Sequence, residues 1–399
     1  MDANSESLNP SDKQMARGGE KPFLHFEIII KILERLPVKS ILRFQSVCKD
    51  WNNLFKTQSF IAQHASHSYH ESPFLLLHTY DDSYKRSSLL LLNQKMETVE
   101  VLSIPSFEVL SVPSKYSFNH VGKIKIIGSC NGWLCVLLCV ESGPFRLLRL
   151  WNPLTREVRE IPPIRWVHMC PPFSGFGFSS IVNDYKIVTF SYLQKNIEGL
   201  NYAARVVHVY SLSTDSWKEL ELGAVQKKGV IKGTASVDGT MAWIGYDDSF
   251  DVPLLVTFDI VTEVFTSTPI PSAVRVTIAG AYQNKFVLSG HHRESHSMHI
   301  WVMEQVASES GKHFSCSEKY SLGIPSYSFV NFCIWGNEIV FCEKERKAGV
   351  EGKSKFHLKL FNLTTKKWKE FPNISSSHDC CDGFSYGGSL VSLINPQVQ

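Results

Sequence analysis

The chain of 399 residues lacks a long apolar run. The longest uninterrupted one, residues 133–140, is far short of the ~18 residues that a membrane-spanning helix needs. The first 20 residues are polar and lack the apolar segment of a secretory signal. We therefore expect no membrane association and a location in the cytoplasm, the nucleus or both. In those compartments the ten cysteines should stay as free thiols.

A strong charge of one sign is also missing. The 41 basic and 38 acidic residues leave a net charge of +3, too small for the basic face of a nucleic-acid-binding protein. The segment Lys366-Lys-Trp-Lys369 combines basic and aromatic residues. In two similar segments, however, the aromatic position is Trp217 or Phe265 and the neighbouring charges differ. We predict a solvated turn there and no nucleic-acid partner.

The motifs that suggest chemistry are incomplete. Gly383-Phe-Ser-Tyr-Gly387 matches a nucleophile elbow, but no Asp, Glu or His follows Ser385 to complete a triad in the usual chain order. The residues that follow it, 388–393, are predicted to form a closing strand. The histidines at 291, 292, 296 and 299 lack the spacing of a zinc site and lie among polar residues, which favours a solvated loop. We predict no catalytic residue, no metal and no cofactor, and therefore a protein that is not an enzyme.

Residues 23–64 have a helical pattern. Ile28, Ile32, Leu33 and Leu36 recur at the helical period and predict one apolar face, which Pro37 ends. Ser40 is a plausible N-cap for a second helix, in which apolar residues recur at spacings of three and four up to residue 55. The periodicity alone fits either a partner-binding module or a helical cap on the rest of the protein. An excess of four positive charges in residues 21–56 suits an acidic partner.

Beyond residue 70, short β-rich runs alternate with turn residues. A unit of strand, polar turn with Thr near its centre, and strand recurs from residues 151, 210, 258 and 361, with weaker copies near 92 and 301. A second hairpin precedes several units, with turns at Asn131-Gly132, Asp238-Gly239 and Gly336-Asn337. Two hairpins make one four-stranded propeller blade. We predict an all-β, propeller-like domain of about six irregular blades, with a distorted double sheet as the alternative.

The helical segment resembles a known family. Leu-Pro-Val-Lys-Ser at 36–40, Leu-Arg-Phe at 42–44 and Val-Cys-Lys-Asp-Trp at 47–51 are similar to the plant F-box. His25 departs from this pattern, because the family usually has Pro there. In the later region, Gly-Ser-Cys-Asn-Gly-Trp at 128–133 and Trp-Asn-Pro-Leu-Thr at 151–155 resemble the plant F-box-associated domain. The expected organisation is a disordered tail at 1–20, a small all-α F-box at 21–65 and the propeller-like domain at 70–399.

The resemblance implies the substrate-recognition subunit of a Skp–cullin–F-box (SCF) ubiquitin ligase. Its partners would be a Skp-type adaptor, through it a cullin–RING assembly, and an unidentified protein substrate. Ten residues are expected to form the hydrophobic adaptor-docking face or its immediate support: Leu24, Ile28, Ile32, Leu33, Leu36, Pro37, Leu42, Val47, Cys48 and Trp51.

The substrate-binding residues are not predicted individually. Loops of the β-domain are the expected contact region, with residues 164–174, 191–203, 246–253 and 291–298 as candidates. Two alternatives stay open. One is an adaptor-independent propeller scaffold or binding protein, for which His25 is the best argument. The other is a propeller enzyme, which would need converging carboxylates or histidines that the repeats do not contain.

Overall fold

Within the residues that it describes, the computed structural model has four helices followed by 25 strands. It describes residues 24–70, 73–81, 86–102, 104, 123–139, 145–165, 173–197, 200–220, 229–246, 252–270, 275–292, 297–306, 313–323, 329–345, 355–371 and 379–393. The predicted tail at 1–20 lies outside these residues. In this described part of the chain, no helix is long and apolar enough to cross a membrane.

The helical module consists of α1 (Phe26–Leu33), α2 (Val38–Phe44), α3 (Lys49–Leu54) and α4 (Gln58–His70). The prediction of Ser40 as an N-cap is wrong. α2 is capped by Pro37, whose φ of −56° suits a helix start and whose missing N–H costs nothing there. The long second helix is also interrupted. Cys48 has an extended backbone, its sulfur accepts the Trp51 N–H at 3.5 Å, and α3 starts after it.

The module has a small apolar core formed around the buried side chains of Leu33, Ile41, Phe55 and Phe60. His64 on α4 closes it, because its ring Nε2 lies 2.8 Å from the Leu36 carbonyl oxygen. A carbonyl can only accept, so this ring nitrogen is the donor. The bond ties α4 to Leu36, in the connection between α1 and α2.

The strands follow in chain order. The first twelve are β1 (Phe74–Asp81), β2 (Arg86–Leu92), β3 (Thr98–Leu102), β4 (Lys123–Cys130), β5 (Trp133–Cys139), β6 (Phe145–Trp151), β7 (Val158–Glu160), β8 (Ile164–Arg165), β9 (Phe173–Ser179), β10 (Asp184–Ile197), β11 (Leu200–Ser211) and β12 (Ser216–Leu220). The remaining thirteen are β13 (Gly229–Val237), β14 (Thr240–Tyr246), β15 (Pro253–Asp259), β16 (Phe265–Pro269), β17 (Arg275–Tyr282), β18 (Lys285–His292), β19 (Ser297–Val306), β20 (His313–Gly323), β21 (Phe329–Trp335), β22 (Glu338–Glu345), β23 (Lys355–Asn362), β24 (Trp368–Phe371) and β25 (Asp379–Tyr386).

These strands form six antiparallel sheets, which are the six blades of a β-propeller. Blade 1 has the order β25-β1-β2-β3, and blades 2 to 6 start at β4, β9, β13, β17 and β21, with β8 added at the edge of blade 2. We letter the strands of each blade A to D from the inner to the outer. The C-terminal strand β25 is strand A of blade 1 and pairs Ser385 with Leu75 of β1. The prediction of about six blades is confirmed.

Six buried apolar clusters each join two neighbouring blades. Between blades 2 and 3, Trp133 packs in the same cluster as Tyr210. Between blades 3 and 4, Phe190 and Trp243 meet edge to face with ring centres 5.1 Å apart. Because the blades bury both of their faces, several B and C strands carry apolar runs, as in Leu89 to Leu92.

The repeated unit seen in the sequence is the turn between strands C and D. It starts at Asn152, Asp259 or Asn362, whose side-chain oxygen accepts the backbone N–H groups two and three residues later. Four residues after its start the backbone turns left-handed, with φ of 63° at Arg156 and 59° at Glu263. A short polar side chain at the first position therefore sets the turn, which explains why the motif recurs.

The turns between strands A and B follow the Asn-Gly and Asp-Gly pattern as predicted. Asn131 and Gly132 have φ of 48° and 77°, and Asp238 and Gly239 have φ of 43° and 69°. Both residues of each pair are left-handed, as in the type I′ turn that matches the twist of a hairpin. The Gly336-Asn337 signal also lies at an A–B turn, between β21 and β22, but there only the first residue, Gly336, is left-handed, with φ of 55°.

Two of these glycines give a matched pair of variants. A Cβ on Gly132 would lie 2.7 Å from Ser389, whereas one on Gly336 would meet nothing within 4 Å. Both substitutions force an L-residue into the left-handed region, at about 1–2 kcal/mol. Gly132→Ala adds overpacking, worth about 1–3 kcal/mol. We expect Gly132→Ala to lower the free energy of unfolding more than Gly336→Ala by about that amount, measured by urea denaturation. Equal losses would show that Ser389 does not press on this turn.

Candidate functional site

An unusual feature of the helical module is that α1 is apolar on both sides. Inside, Leu33 is buried and Ile30 half-buried against the core. Outside, Ile28 and Ile32 are 47% and 48% exposed. The sequence predicted one face for Ile28, Ile32, Leu33 and Leu36, and that prediction is wrong. The helical period separates these residues into an inner and an outer stripe, and the outer one is exposed.

The ten predicted docking residues divide by exposure. Six have exposed side chains: Leu24, Ile28, Ile32, Pro37, Val47 and Cys48. Three are half-buried in the module core: Leu36, Leu42 and Trp51. Leu33 is buried. The first six are therefore accessible on the surface of the module, and the other four lie in its core.

Phe26 was missed by sequence reasoning. By helical period it belongs with Ile30 and Leu33, on the buried side of α1. Its side chain is nevertheless 50% exposed, because it lies in the first turn of the helix, beyond the buried part of the core. Together with Leu24, Ile28, Ile32 and Val47 it makes up the exposed apolar set of the module. In the sequence, only its position at the start of the helix indicated that Phe26 would be exposed.

His25 stands at the N-cap of α1. Its carbonyl oxygen accepts the N–H groups of Ile28 and Ile29 at 2.9 and 3.2 Å, and its side chain makes no capping bond. Its φ of −55° lies within the range that a proline ring imposes. The backbone therefore already has the shape that proline would give it.

Replacing His25 by Pro should consequently be tolerated. Since the native φ suits proline, we expect the substitution to leave the fold unchanged and to raise the free energy of unfolding by about 0.4–1 kcal/mol through the unfolded state. Thermal unfolding of His25→Pro and of His25→Ala as a control would measure this. A lower stability for His25→Pro than for His25→Ala would contradict the backbone geometry described here.

Positive charge flanks the exposed apolar set. The side chains of Lys31, Arg35, Arg43, Lys49 and Lys56 are all exposed. Lys39 is paired instead, with Glu100 of β3 in the propeller. Burial, followed by the nearby Arg43 and Arg156, lowers the pKa of its ammonium group. The exposed charges leave a basic rim that suits an acidic partner surface.

The module contacts one end of the propeller. In an antiparallel blade, the A–B and C–D turns lie at one end and the B–C and D–A connections at the other. Val38 of α2 shares a cluster with Leu154, in the C–D turn of blade 2, and with Leu390, which follows strand A of blade 1. Both positions belong to the A–B and C–D end, which we call the near end. The opposite end is the far end.

The four candidate recognition loops all belong to the far end. Residues 191–203, 246–253 and 291–298 contain the B–C connections of blades 3, 4 and 5, and residues 164–174 contain the D–A connection from blade 2 to blade 3. Parts of them, 166–172, 198–199, 247–251 and 293–296, lie outside the described residues. The described strand ends that flank these residues all lie at the far end. The topology thus groups segments that the sequence left unrelated.

The structure shows where the nucleophile-elbow motif and the basic, aromatic segment at 366–369 lie. Ser385 lies within β25 and pairs with Leu75, so the strand–turn–helix setting of a nucleophile elbow is absent at this serine. Residues 388–393 were predicted as the closing strand. That prediction is wrong, because β25 ends at Tyr386 and closes the ring instead. Lys366 lies in the C–D turn of blade 6, and Trp368 begins the strand after it.

Comparison with known families agrees with this architecture. The profile of the F-box domain matches residues 23–63, and that of the F-box associated beta propeller domain matches residues 83–393. The chain belongs to the F-box-associated propeller family. Its α1–α4 module is the F-box, and the six blades are the associated propeller.

The relatives are F-box proteins of Arabidopsis thaliana. A putative F-box protein is 28% identical over 254 residues, which are 61% of this chain and 60% of that protein. Putative F-box only protein 9 is 27% identical over 386 residues, 92% of this chain and 94% of that protein. Among solved structures, TolB from Acinetobacter baumannii covers 80% of this chain and 71% of its own, with a TM-score of 0.46 and 10% identity.

Proposed function

We propose that this chain is the substrate-recognition subunit of an SCF ubiquitin ligase. The observation that carries the proposal is the exposed apolar set on an F-box in which Leu33, Ile41, Phe55 and Phe60 are already buried in the core. Side chains such as Ile28 and Ile32 are about half exposed, and contact of their apolar surface with water is unfavourable. A partner that covered them would remove this unfavourable free energy. The partner proposed for this set is a Skp-type adaptor.

The mechanism that we propose involves no chemistry by this subunit. The adaptor would join the F-box to a cullin–RING assembly in the cytoplasm or nucleus, and the propeller would hold a protein substrate. Ubiquitin transfer would then be accelerated by proximity, because the lysines of a held substrate have a high effective concentration at the charged conjugating enzyme. Adaptor capture by full-length variants of the exposed apolar set, described in the Discussion, tests this proposal.

The far end of the propeller is the proposed substrate face. The near end is partly covered by the F-box, at Leu154 and Leu390. The far end carries the B–C and D–A connections, and loops on a rigid scaffold commonly carry recognition. Its distance from the F-box would leave a bound substrate clear of the adaptor.

Two valines of blade 4 give a matched test of this face. Val252, 40% exposed, precedes β15 at the far end, and Val264, 54% exposed, lies in the C–D turn at the near end. A proximity-labelling enzyme fused to the chain, used with the proteasome blocked, would mark candidate substrates. We expect Val252→Asp to deplete a subset of the labelled proteins and Val264→Asp to leave that subset intact. Depletion by Val264→Asp alone would instead place recognition at the near end.

A further inference from the structure

The residues that follow the last strand form a strap between the F-box and the propeller. The strap, residues 387–393, is not a strand, but it is tightly held. Its Ser389 and Val391 carbonyl oxygens accept Asn152 Nδ2 at 3.1 Å and Trp133 Nε1 at 2.8 Å. Its Leu393 carbonyl oxygen accepts Arg159 Nη1 at 2.6 Å. The strap is therefore fixed to blade 2 along its length.

The strap also presents one side chain to the F-box. Leu390 is 8% exposed and belongs to the F-box core cluster, whereas Leu393 is fully buried in the cluster between blades 2 and 3. Gly388 lets the two parts approach closely, since a Cβ there would lie 2.5 Å from Leu154 and 3.3 Å from Val38 of α2. The F-box core is thus completed by propeller residues.

A charged contact lies beside this apolar one. At two other seams, strand D of one blade pairs with the left-handed residue in the C–D turn of the next: Arg159 with Asp215, and Lys218 with Glu263. At the seam of blades 1 and 2, the strand D residue Glu100 pairs with Lys39 of the F-box. The left-handed residue of blade 2, Arg156, is near enough to Lys39 to lower its pKa. Lys39 of the F-box thus pairs with a strand D residue at this seam, as the C–D turn residue of the next blade does at the other two.

A third point of attachment is the connection between the two parts. Only residues 71–73 separate the end of α4 from the start of β1. The carbonyl oxygen of Pro73 accepts Trp335 Nε1 of blade 6 at 2.6 Å. The connection is thus anchored on blade 6, the strap contact lies on blade 2, and the Lys39–Glu100 pair lies on blade 1. Three attachments at different positions restrict both tilt and rotation of the F-box.

We infer that the strap and the Lys39–Glu100 pair hold the F-box in one orientation on the propeller, and so set the geometry between adaptor and substrate. The geometry between adaptor and substrate rests on the proposed function, whereas the fixed orientation of the F-box does not. A rigid receptor would present the far end at one distance and angle to the conjugating enzyme. A loosened receptor would bind adaptor and substrate as before and present the substrate lysines less consistently.

Distance measurement between the two parts tests this inference. Spin labels would be carried by unnatural amino acids at Gln63 of α4 and at Ile181, which is 77% exposed in the A–B turn of blade 3. Double electron–electron resonance on the full chain, free and adaptor-bound, would give the distance distribution. We expect a single narrow peak in the wild type. Leu390→Asp combined with Glu100→Lys should at least double its width, with adaptor affinity changed less than twofold.

Matched variants separate loss of orientation from general damage. Leu393→Ala and Glu97→Gln alter the same strap and the same blade but leave Leu390 and the Lys39–Glu100 pair in place, so they should keep the peak narrow. The charge swap Lys39→Glu with Glu100→Lys should narrow the peak that Glu100→Lys alone broadens. A wild-type peak that is already broad, or a narrow peak in the Leu390→Asp/Glu100→Lys variant, would overturn the inference. Failure of the wild type to bind the adaptor would overturn the proposed function only, because the free chain still reports the distance.

Discussion

Replacing Ile28 and Ile32 together by Asp is expected to abolish capture of a Skp-type adaptor by the full-length chain. Each isoleucine is about half exposed in the free protein and would be buried on docking. Fully burying such a side chain contributes about 1.5–3 kcal/mol, so burying the exposed half of both contributes about 1.5–3 kcal/mol together. Two unpaired carboxylates at the interface add a desolvation cost. The expected loss in affinity is therefore at least about 10- to 10²-fold. Pull-down followed by titration calorimetry with purified adaptor would measure it.

These two positions are better probes than Leu36 and Trp51, which also belong to the predicted face. Leu36 and Trp51 are half-buried in the F-box core, so their replacement would damage the fold as well as the docking surface. Ile28 and Ile32 point away from that core, and their replacement should leave the thermal unfolding of the chain nearly unchanged.

Ile181→Asp is the matched control for adaptor capture. Ile181 is 77% exposed and lies on the propeller rather than on the F-box, so the substitution adds the same charge without touching the docking residues. It should keep full capture. Undiminished capture by the Ile28→Asp/Ile32→Asp variant would refute docking through α1. Failure of the wild type to bind any Skp-type adaptor would favour an adaptor-independent scaffold.

The largest loss of stability is expected for Trp133→Ala. Trp133 is fully buried between blades 2 and 3, and its Nε1–H donates to the Val391 carbonyl at 2.8 Å. Truncation of a buried Trp costs about 3–5 kcal/mol. The strap carbonyl left without its donor adds about 1–3 kcal/mol. Because a whole domain is stable by only about 5–15 kcal/mol, the variant should be largely unfolded or aggregate when expressed.

Two further variants divide this effect into its parts. Trp133→Phe keeps most of the apolar volume and removes the donor, so it should cost less than Trp133→Ala in urea denaturation. Trp368→Ala truncates a tryptophan that is 37% exposed at the start of β24, and it should cost the least of the three. A Trp133→Ala protein as stable as Trp368→Ala would show that the seam of blades 2 and 3 is not essential.

Much of the propeller could be predicted because its signals are local. The C–D turn at residues 152–156 needs an Asx side chain to accept two nearby N–H groups, and the same chemistry recurs at Asp259 and Asn362. The A–B turn at Asn131-Gly132 needs two left-handed residues. Such requirements depend on neighbours a few residues away, so they appear directly in the sequence as a repeat.

The predictions that were wrong concern non-local packing. Residues 388–393 contain enough apolar residues for a strand, but Leu390 packs on the F-box and Leu393 between two blades. The face of α1 was misjudged for a similar reason. Its large aliphatic residues are chemically similar, and only the position of the core decides that Leu33 is buried and Ile32 exposed. Periodicity identifies an amphipathic helix poorly when both of its sides are apolar.

The sequence by itself determined the F-box motif, the repeated blade unit and the approximate number of blades, because turn chemistry and strand composition act over a few residues. The tertiary structure alone decided which F-box side chains stay exposed, which candidate loops share the far end, and how Leu390 and Glu100 hold the F-box. Glu100 lies 61 residues from Lys39 in the chain, and no local pattern relates them. Packing of the F-box on the propeller brings such residues together, so their contacts exist only in the complete fold.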